Sequence, residues 1–330
     1  MSIFSWIKLS IIVFSLFCFC GCSFLGHGKT ELARPVGVSM DSVPKYNQDG
    51  TADIDVKKNP GKDYGPTLKR KVIYKHTSDV DVTKAIGVVL GPGLNRTIAH
   101  ISLIKSFQRN KVPIHVISGV GMGAVIASFY ASGYTTTRIE WIFHNFFNET
   151  RKTKPYSKNW RNMTEKYFIM EFKGRRIENL SKTLVLPVLD EKTGRIIFTN
   201  RGSLSEALIF NLAFFDPGEG DDIVKRRLNM KIFEKSCFMR FGVDILVGAN
   251  VIDSGIFFKH MNKDLNIIFS KMAENIRRQK DLPDFYLGLP TDMMALDSID
   301  KVPECLLKSY EVSVDMTDKI LEKMNKENLD

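Results

Sequence analysis

The chain has 330 residues, 44% of them hydrophobic and 25% charged, with a formal net charge of +10. This is an ordinary globular composition, long enough to bury the core of one sizeable domain or two small ones. The positive charge is spread out, no internal repeat is apparent, and no motif for reading nucleic acid accompanies it. A nucleic-acid partner is therefore not expected, and an anionic partner such as a lipid headgroup fits the charge equally well.

Lys8 is the only charge in the first 22 residues, and it precedes the apolar run 9–19. That run is too short to span a bilayer comfortably and reads as the core of a signal peptide. It ends Phe19-Cys20-Gly21-Cys22-Ser23. This ending resembles a bacterial lipoprotein signal, with Phe19 where leucine is usual and Cys22 as the lipidated first residue. The resemblance implies a signal peptide at 1–22 and a membrane partner held through the N-terminal lipid. It also implies a place in the bacterial envelope, facing the periplasm or the exterior, with Ser23 leaning toward the outer membrane. An uncleaved anchor with palmitoylated cysteines is the alternative. Residues 23–80 are polar, rich in Gly, Pro and alternating charge, and predict a tether. KVIYK at 71–75 is a candidate edge strand before a domain spanning 84–325. Only Cys237 and Cys305 remain in that body, read as two free thiols, and no His/Cys cluster has metal-ligand spacing. Neither a metal nor a cofactor is expected.

Residues 86–90 (IGVVL) form an apolar run ending at Gly91, as expected of a strand buried on both faces. Beyond the turn, Ile98, Ile101, Leu103, Ile104 and Phe107 approach helical spacing, leaving Lys105 and Ser106 to the polar side. Residues 114–117 (IHVI) predict a second buried strand, and 124–131 a helix of small residues that pack closely on a sheet. Parallel strands joined by a helix make a right-handed α/β unit. In 151–176, nine Lys/Arg accompany only Glu165 and Glu171, with Tyr156, Trp160, Tyr167 and Phe168 interleaved. A membrane-contacting surface and a solvated insertion are both open there. Residues 184–189 and 195–199 predict adjacent strands across a turn. Ser203 and Glu206 make a capping box for a helix over 203–214. A helix over 232–241 stopped by Gly242 and a buried strand over 244–251 follow. Met261, Leu265, Ile268, Phe269, Met272 and Ile276 then share one helical stripe, and 317–324 predicts a last helix.

Residues 86–134 thus read strand, glycine turn, helix, strand, glycine turn, helix. Both turns sit where a strand's carboxyl end meets a helix amino end, the usual place for chemistry in an α/β sheet. The second, Gly119-Val120-Gly121-Met122-Gly123, has the outline of a nucleophile elbow with glycine in the nucleophile's position. LGPGLNRTIAHI and ISGVGMGAVIASFYASGY, followed in order by GSLSEALIFNLAFFDPG and RFGVDILVGANV, resemble the patatin-like phospholipase family of serine acyl hydrolases. The resemblance covers about residues 84–325, nearly all of the chain beyond the tether, and implies a three-layer α/β/α fold with a mainly parallel central sheet.

It also implies three catalytic parts, each altered here. The serine at the elbow's centre is Gly121, which cannot form an acyl-enzyme. Gly119 and Gly123 remain, while Ser118 and Ser128 are fixed by their own elements. In the oxyanion loop, Gly91, Gly93 and Arg96 match the family's pattern, but Pro92, Leu94 and Thr97 stand where small residues are usual. Pro92 lacks a donor outright. The Asp-Gly partner is expected near Arg226-Arg227-Leu228, where none occurs. Asp221 and Asp222 lie a few residues upstream, and Asp244 reads as structural. His100 and His115 read as core or surface imidazoles. The expectation is a degenerate, inactive family member that binds a lipid, an acyl chain or a protein partner. The alternatives are an acyl hydrolase using unidentified residues, and an envelope scaffold whose old cleft is filled by side chains such as Leu94.

Overall fold

Among the described residues, six strands form one sheet: β1 (Ile86–Leu90), β2 (Val116–Gly119), β3 (Thr183–Asp190), β4 (Arg195–Thr199), β5 (Ile245–Asn250) and β6 (Phe285–Gly288). Their spatial order is β4-β3-β2-β1-β5-β6. This computed structural model describes residues 84–190, 193–219, 221–253, 255–259 and 263–327. The chain divides into two units, 1–73 and 74–330, and every described element belongs to the second. The expected signal peptide, Cys22, the expected tether, the candidate strand at 71–75 and Met261 lie outside the described residues.

β1 sits at the sheet's centre, paired in parallel with β2 (Leu90↔Gly119) and β5 (Leu90↔Ala249). All of its residues are buried, as its uninterrupted apolar run requires. β3 and β6 extend the sheet in parallel on either side, and only β4 runs antiparallel, on β3. The fold is therefore α/β with a mostly parallel central sheet.

Among the described residues there are nine α-helices, the first eight being α1 (His100–Arg109), α2 (Met122–Ala131), α3 (Thr136–Thr150), α4 (Lys158–Thr164), α5 (Leu204–Leu212), α6 (Asp221–Leu228), α7 (Ser236–Met239) and α8 (Lys263–Arg277). The ninth, α9 (Val302–Glu327), is far longer than the 317–324 segment that apolar spacing predicts. Its buried face carries hydroxyls at Ser309, Ser313 and Thr317, which hide the helical stripe from a hydrophobicity reading. Ser313 and Thr317 donate to carbonyls one turn back. Ser106 meets Thr317 at 2.8 Å, so Ser106 is wholly buried between α1 and α9, not on the polar side.

Three further expectations change. The second strand is Val116–Gly119, two residues later than 114–117, because pairing with β1 begins at Gly87↔Val116. His115 lies just before it and is exposed, with Nδ1 accepting the Ile86 N–H at 2.9 Å. Of the helix expected over 232–241 only α7 forms, since the Ile232 and Phe233 amides turn to Gln279 Oε1 at 2.7 and 3.2 Å. Asp244 is exposed ahead of β5 and accepts the Ala85 N–H, so its role is structural but outside the strand.

The basic segment 151–176 folds as part of the domain. Tyr156, Trp160, Phe168 and Phe172 are buried, and Phe168 packs on Phe146 with ring centroids 4.6 Å apart. Its aromatic residues thus serve the core and leave the Lys/Arg outside, which favours the insertion over a membrane-contacting face.

Candidate functional site

The elbow joins β2 to α2. Gly121 has φ +61° and ψ −132°, a backbone that L-residues adopt only under strain. The turn is held by Val120 N–H to Leu90 O at 3.0 Å and Ala124 N–H to Gly121 O at 3.1 Å. A Cβ on Gly119 would fall 2.4 Å from the Gly123 carbonyl, and one on Gly123 would fall 2.5 Å from Leu90 O. Backbone passes too close for either to be anything but glycine. Gly121 differs. A Cβ there would stand 3.4 Å from Pro92 Cβ and 3.5 Å from Phe215 Cε2, ordinary contact distances. The elbow's shape therefore persists, with steric room at its centre for a first side-chain atom and Pro92 and Phe215 just beyond.

Phe215 reaches this place through α5. The Ser203 hydroxyl caps α5 by accepting the Glu206 N–H, and the chain then turns through Phe214 N–H to Asn211 O. Phe215 is 2% exposed and packs its ring 4.6 Å from that of Phe269. Sequence spacing gave no sign of Phe215, because an aromatic after a helix reads as core in any context.

The loop opposite is equally fixed. Gly91 gives its N–H to Ala249 O at 2.7 Å, a donor already used by the sheet. Pro92 has none. A Cβ on Gly93 would come 2.2 Å from Val251 Cγ2, so close packing demands glycine there. Leu94 is buried with φ +48°, and its carbonyl accepts from Thr97 Oγ1 at 2.6 Å. The amides of Asn95 and Arg96 go to Leu296 O and Gly93 O, both at 3.0 Å.

Arg96 and His100 lock this loop from behind. Arg96 is fully buried, donating from Nε to Met294 O and from Nη2 to Gly255 O, each at 2.6 Å. Its guanidinium also lies 5.2 Å from the Phe257 ring centroid. Burial draws its pKa down to about 10, which leaves it charged at neutral pH. His100, fully buried, donates from Nε2 to Gly91 O at 2.9 Å. Burial lowers its pKa to about 4, against the pull of that carbonyl, so the ring is neutral.

The region expected to supply an aspartate presents arginines instead. On α6, Arg226 donates to Gly194 O, while Arg227 is buried with Nη1 2.6 Å from Ala213 O and its guanidinium 4.4 Å over the Phe210 ring. Asp222 is exposed on the same helix. The carboxylate that sequence reading missed is Asp216, buried one residue beyond Phe215. It pairs with Arg161 at 2.5 Å and accepts the Gly218 N–H at 2.9 Å. Tyr156 nearby has its pKa raised, by burial first and by the Asp216 charge second.

Neither Ser118 nor Ser128 stands at the elbow's centre. Ser118 is buried inside β2 with its Oγ unpartnered, and Ser128 donates to Ala124 O within α2. Cys237 and Cys305 are free thiols. Among the described residues, no three metal-ligating side chains gather. No described helix is long and apolar enough to cross a membrane.

Two solved structures of ExoU in complex with SpcU, from the type III secretion system of Pseudomonas aeruginosa, are similar to 72% of the chain. Identity is 13% and 11%, and the TM-scores are 0.37 and 0.28. The chain spans 52% and 60% of those two chains. The family model for patatin-like phospholipases matches residues 88–287, from β1 into β6. With that match over more than half its length, the chain belongs to the patatin-like phospholipase family.

Proposed function

We propose that this patatin-like protein has lost acyl hydrolysis and acts as an envelope-anchored binding protein for a lipid or a protein partner. The observation that carries the reading is Gly121. It occupies the strained centre of an otherwise intact elbow, and nothing at that position can attack a carbonyl. The other two parts support it. Pro92 and the engaged Gly91 amide weaken the oxyanion loop, where each missing donor costs about 3 kcal/mol of transition-state stabilisation. Arginines stand where the Asp-Gly pair is expected. The packing of Pro92 and Phe215 before Gly121 also argues against a ligand seated at the old nucleophile position.

In this reading the segment before Cys22 is removed, Cys22 carries the lipid as the first residue, and 23–80 tether the domain to the membrane. The mass of the mature chain tests this directly, and Cys22→Ala should release the protein from the membrane fraction. Loss of hydrolysis is tested on the purified full chain with short acyl esters and a serine-directed fluorophosphonate. Neither turnover nor label is expected. Ester hydrolysis that follows the main protein peak would overturn the proposal. Gly121→Ser, paired with Arg226→Asp, then asks how far the scaffold is from competence. The crowding by Phe215 and Pro92 predicts that this pair stays inactive.

A further inference from the structure

A cavity of about 780 Å³ lies along β4 and the segment from α6 to α7. Among the described residues β4 is the sheet's antiparallel edge strand. The cavity is lined by Arg195, Arg226, Lys231 and Arg240, and no carboxylate is among its described lining residues. Lys231 pairs with Glu234 at 3.1 Å, which leaves the three guanidinium groups as an excess of positive charge.

Two of these arginines are held in place by backbone carbonyls, one in the turn before β4 and one within it. Arg226 donates to Gly194 O and Arg240 to Phe198 O. Carbonyls are neutral, so these bonds orient the guanidinium groups without cancelling their charge. Gly194 has φ +63°, and a Cβ there would come 2.8 Å from Arg226 Nη1, so glycine both turns the chain and admits the arginine. Pro187 faces Phe198 across the β3–β4 ladder and has no N–H to give, which leaves Phe198 O to Arg240. The lining also includes Ile197, 42% exposed, and the buried Phe198 and Met230. Anion-binding groups and alkyl-binding groups thus share one groove.

We propose that this groove binds a single-chain anionic lipid, its phosphate or carboxylate head on the arginines and its alkyl chain along Ile197, Phe198 and Met230. Guanidinium groups suit such heads because they offer paired donors in a plane. The site is separate from the elbow and stands whether or not Cys22 is lipidated.

Cys237 lines the same groove and is half-buried, which supplies a local readout. The full chain, in a neutral maltoside detergent, is treated with a small alkylating reagent, and Cys237 and Cys305 are followed by peptide mass spectrometry. Dodecyl phosphate should slow Cys237 alkylation about tenfold at saturation, with inorganic phosphate and dodecanol each giving far less. Cys305, buried in α9, reports any general opening and should not change. Arg195→Glu with Lys231→Glu, both exposed, should abolish the protection without moving the melting temperature, and Ile197→Asp should do so independently. The proposal fails if dodecyl phosphate gives no protection, or if protection survives both variants. Equal protection by inorganic phosphate alone or by dodecanol alone would also overturn it, as a plain anion site or a plain apolar one.

Discussion

At the carboxyl end of β2, residues 119–123 are buried, uncharged and faced by Pro92 and Phe215. Beside β4, four cations line an open groove whose carbonyls hold two of them in place. The first region carries the family's motif outline with a glycine, which has no side chain, at its centre. The second carries no motif and the chemistry of a binding site. Position in a family fold and chemical competence are separate properties, because a backbone shape survives the loss of the side chain it once displayed. Conversely, a site assembled from an edge strand and two distant helices leaves no spacing pattern to find.

If the loop opposite the elbow has become purely structural, its removal should act on stability more than any change in the groove. Arg96 is the largest lever. Arg96→Met strips the Met294 and Gly255 carbonyls of a buried charged donor, and about 4 kcal/mol of unfolding free energy should go with it. Urea denaturation measures this, and a loss below about 1 kcal/mol would mean the loop is not held from behind.

His100 gives the next effect, through pH. Its folded pKa is about 4, against an ordinary 6.5 in the unfolded chain. Above pH 6.5 the ring is neutral in both states and its contribution is complete. Between 6.5 and 4 the unfolded chain takes the proton first, so stability falls as pH falls. On the order of 3 kcal/mol should be lost across that window. His100→Gln keeps a donor toward Gly91 O and does not titrate. Denaturation midpoints at pH 7 and pH 4.5 should therefore fall less in the variant than in the native chain.

The elbow itself offers a sharper internal contrast. Gly119→Ala drives a Cβ to 2.4 Å from backbone and should cost about 2 kcal/mol. Gly121→Ala meets only ordinary contacts and bears the backbone strain of φ +61°, ψ −132°, about 1 kcal/mol. Equal effects at the two positions, read as melting-temperature shifts, would mean that the turn had relaxed and that its preserved geometry is illusory.

What the sequence disclosed follows the same division. β1, β3, β4 and the capped start of α5 were readable, because apolar runs and a Ser203/Glu206 cap are local signals. α6 was not, being a charged segment whose one buried guanidinium, Arg227, packs on Phe210 and Phe214. β6 (FYLG) was missed since four residues with Tyr and Gly carry no alternation. α9 was shortened by its buried hydroxyls, which look polar until Thr317 is seen against Ser106. At the site, Gly119, Gly121 and Gly123 were legible from spacing. Phe215 and Asp216 were not, since nothing local distinguishes a ring that closes an elbow from one that fills a core.

The smallest expected effect is the most discriminating for the groove. Arg195 is exposed, and Lys231 is exposed and paired with Glu234 three residues on. A surface pair of this kind contributes about 0.5 kcal/mol or less. Replacing Arg195 and Lys231 together with serine should therefore leave the urea midpoint almost unmoved, whereas Arg96→Met shifts it grossly. Stability that ignores these two side chains means the fold does not require them, and their convergence on one apolar groove then calls for a ligand. A loss of about 2 kcal/mol or more would instead make them struts of the β4 edge, as Arg96 is for the loop, and would erase the contrast between the two regions.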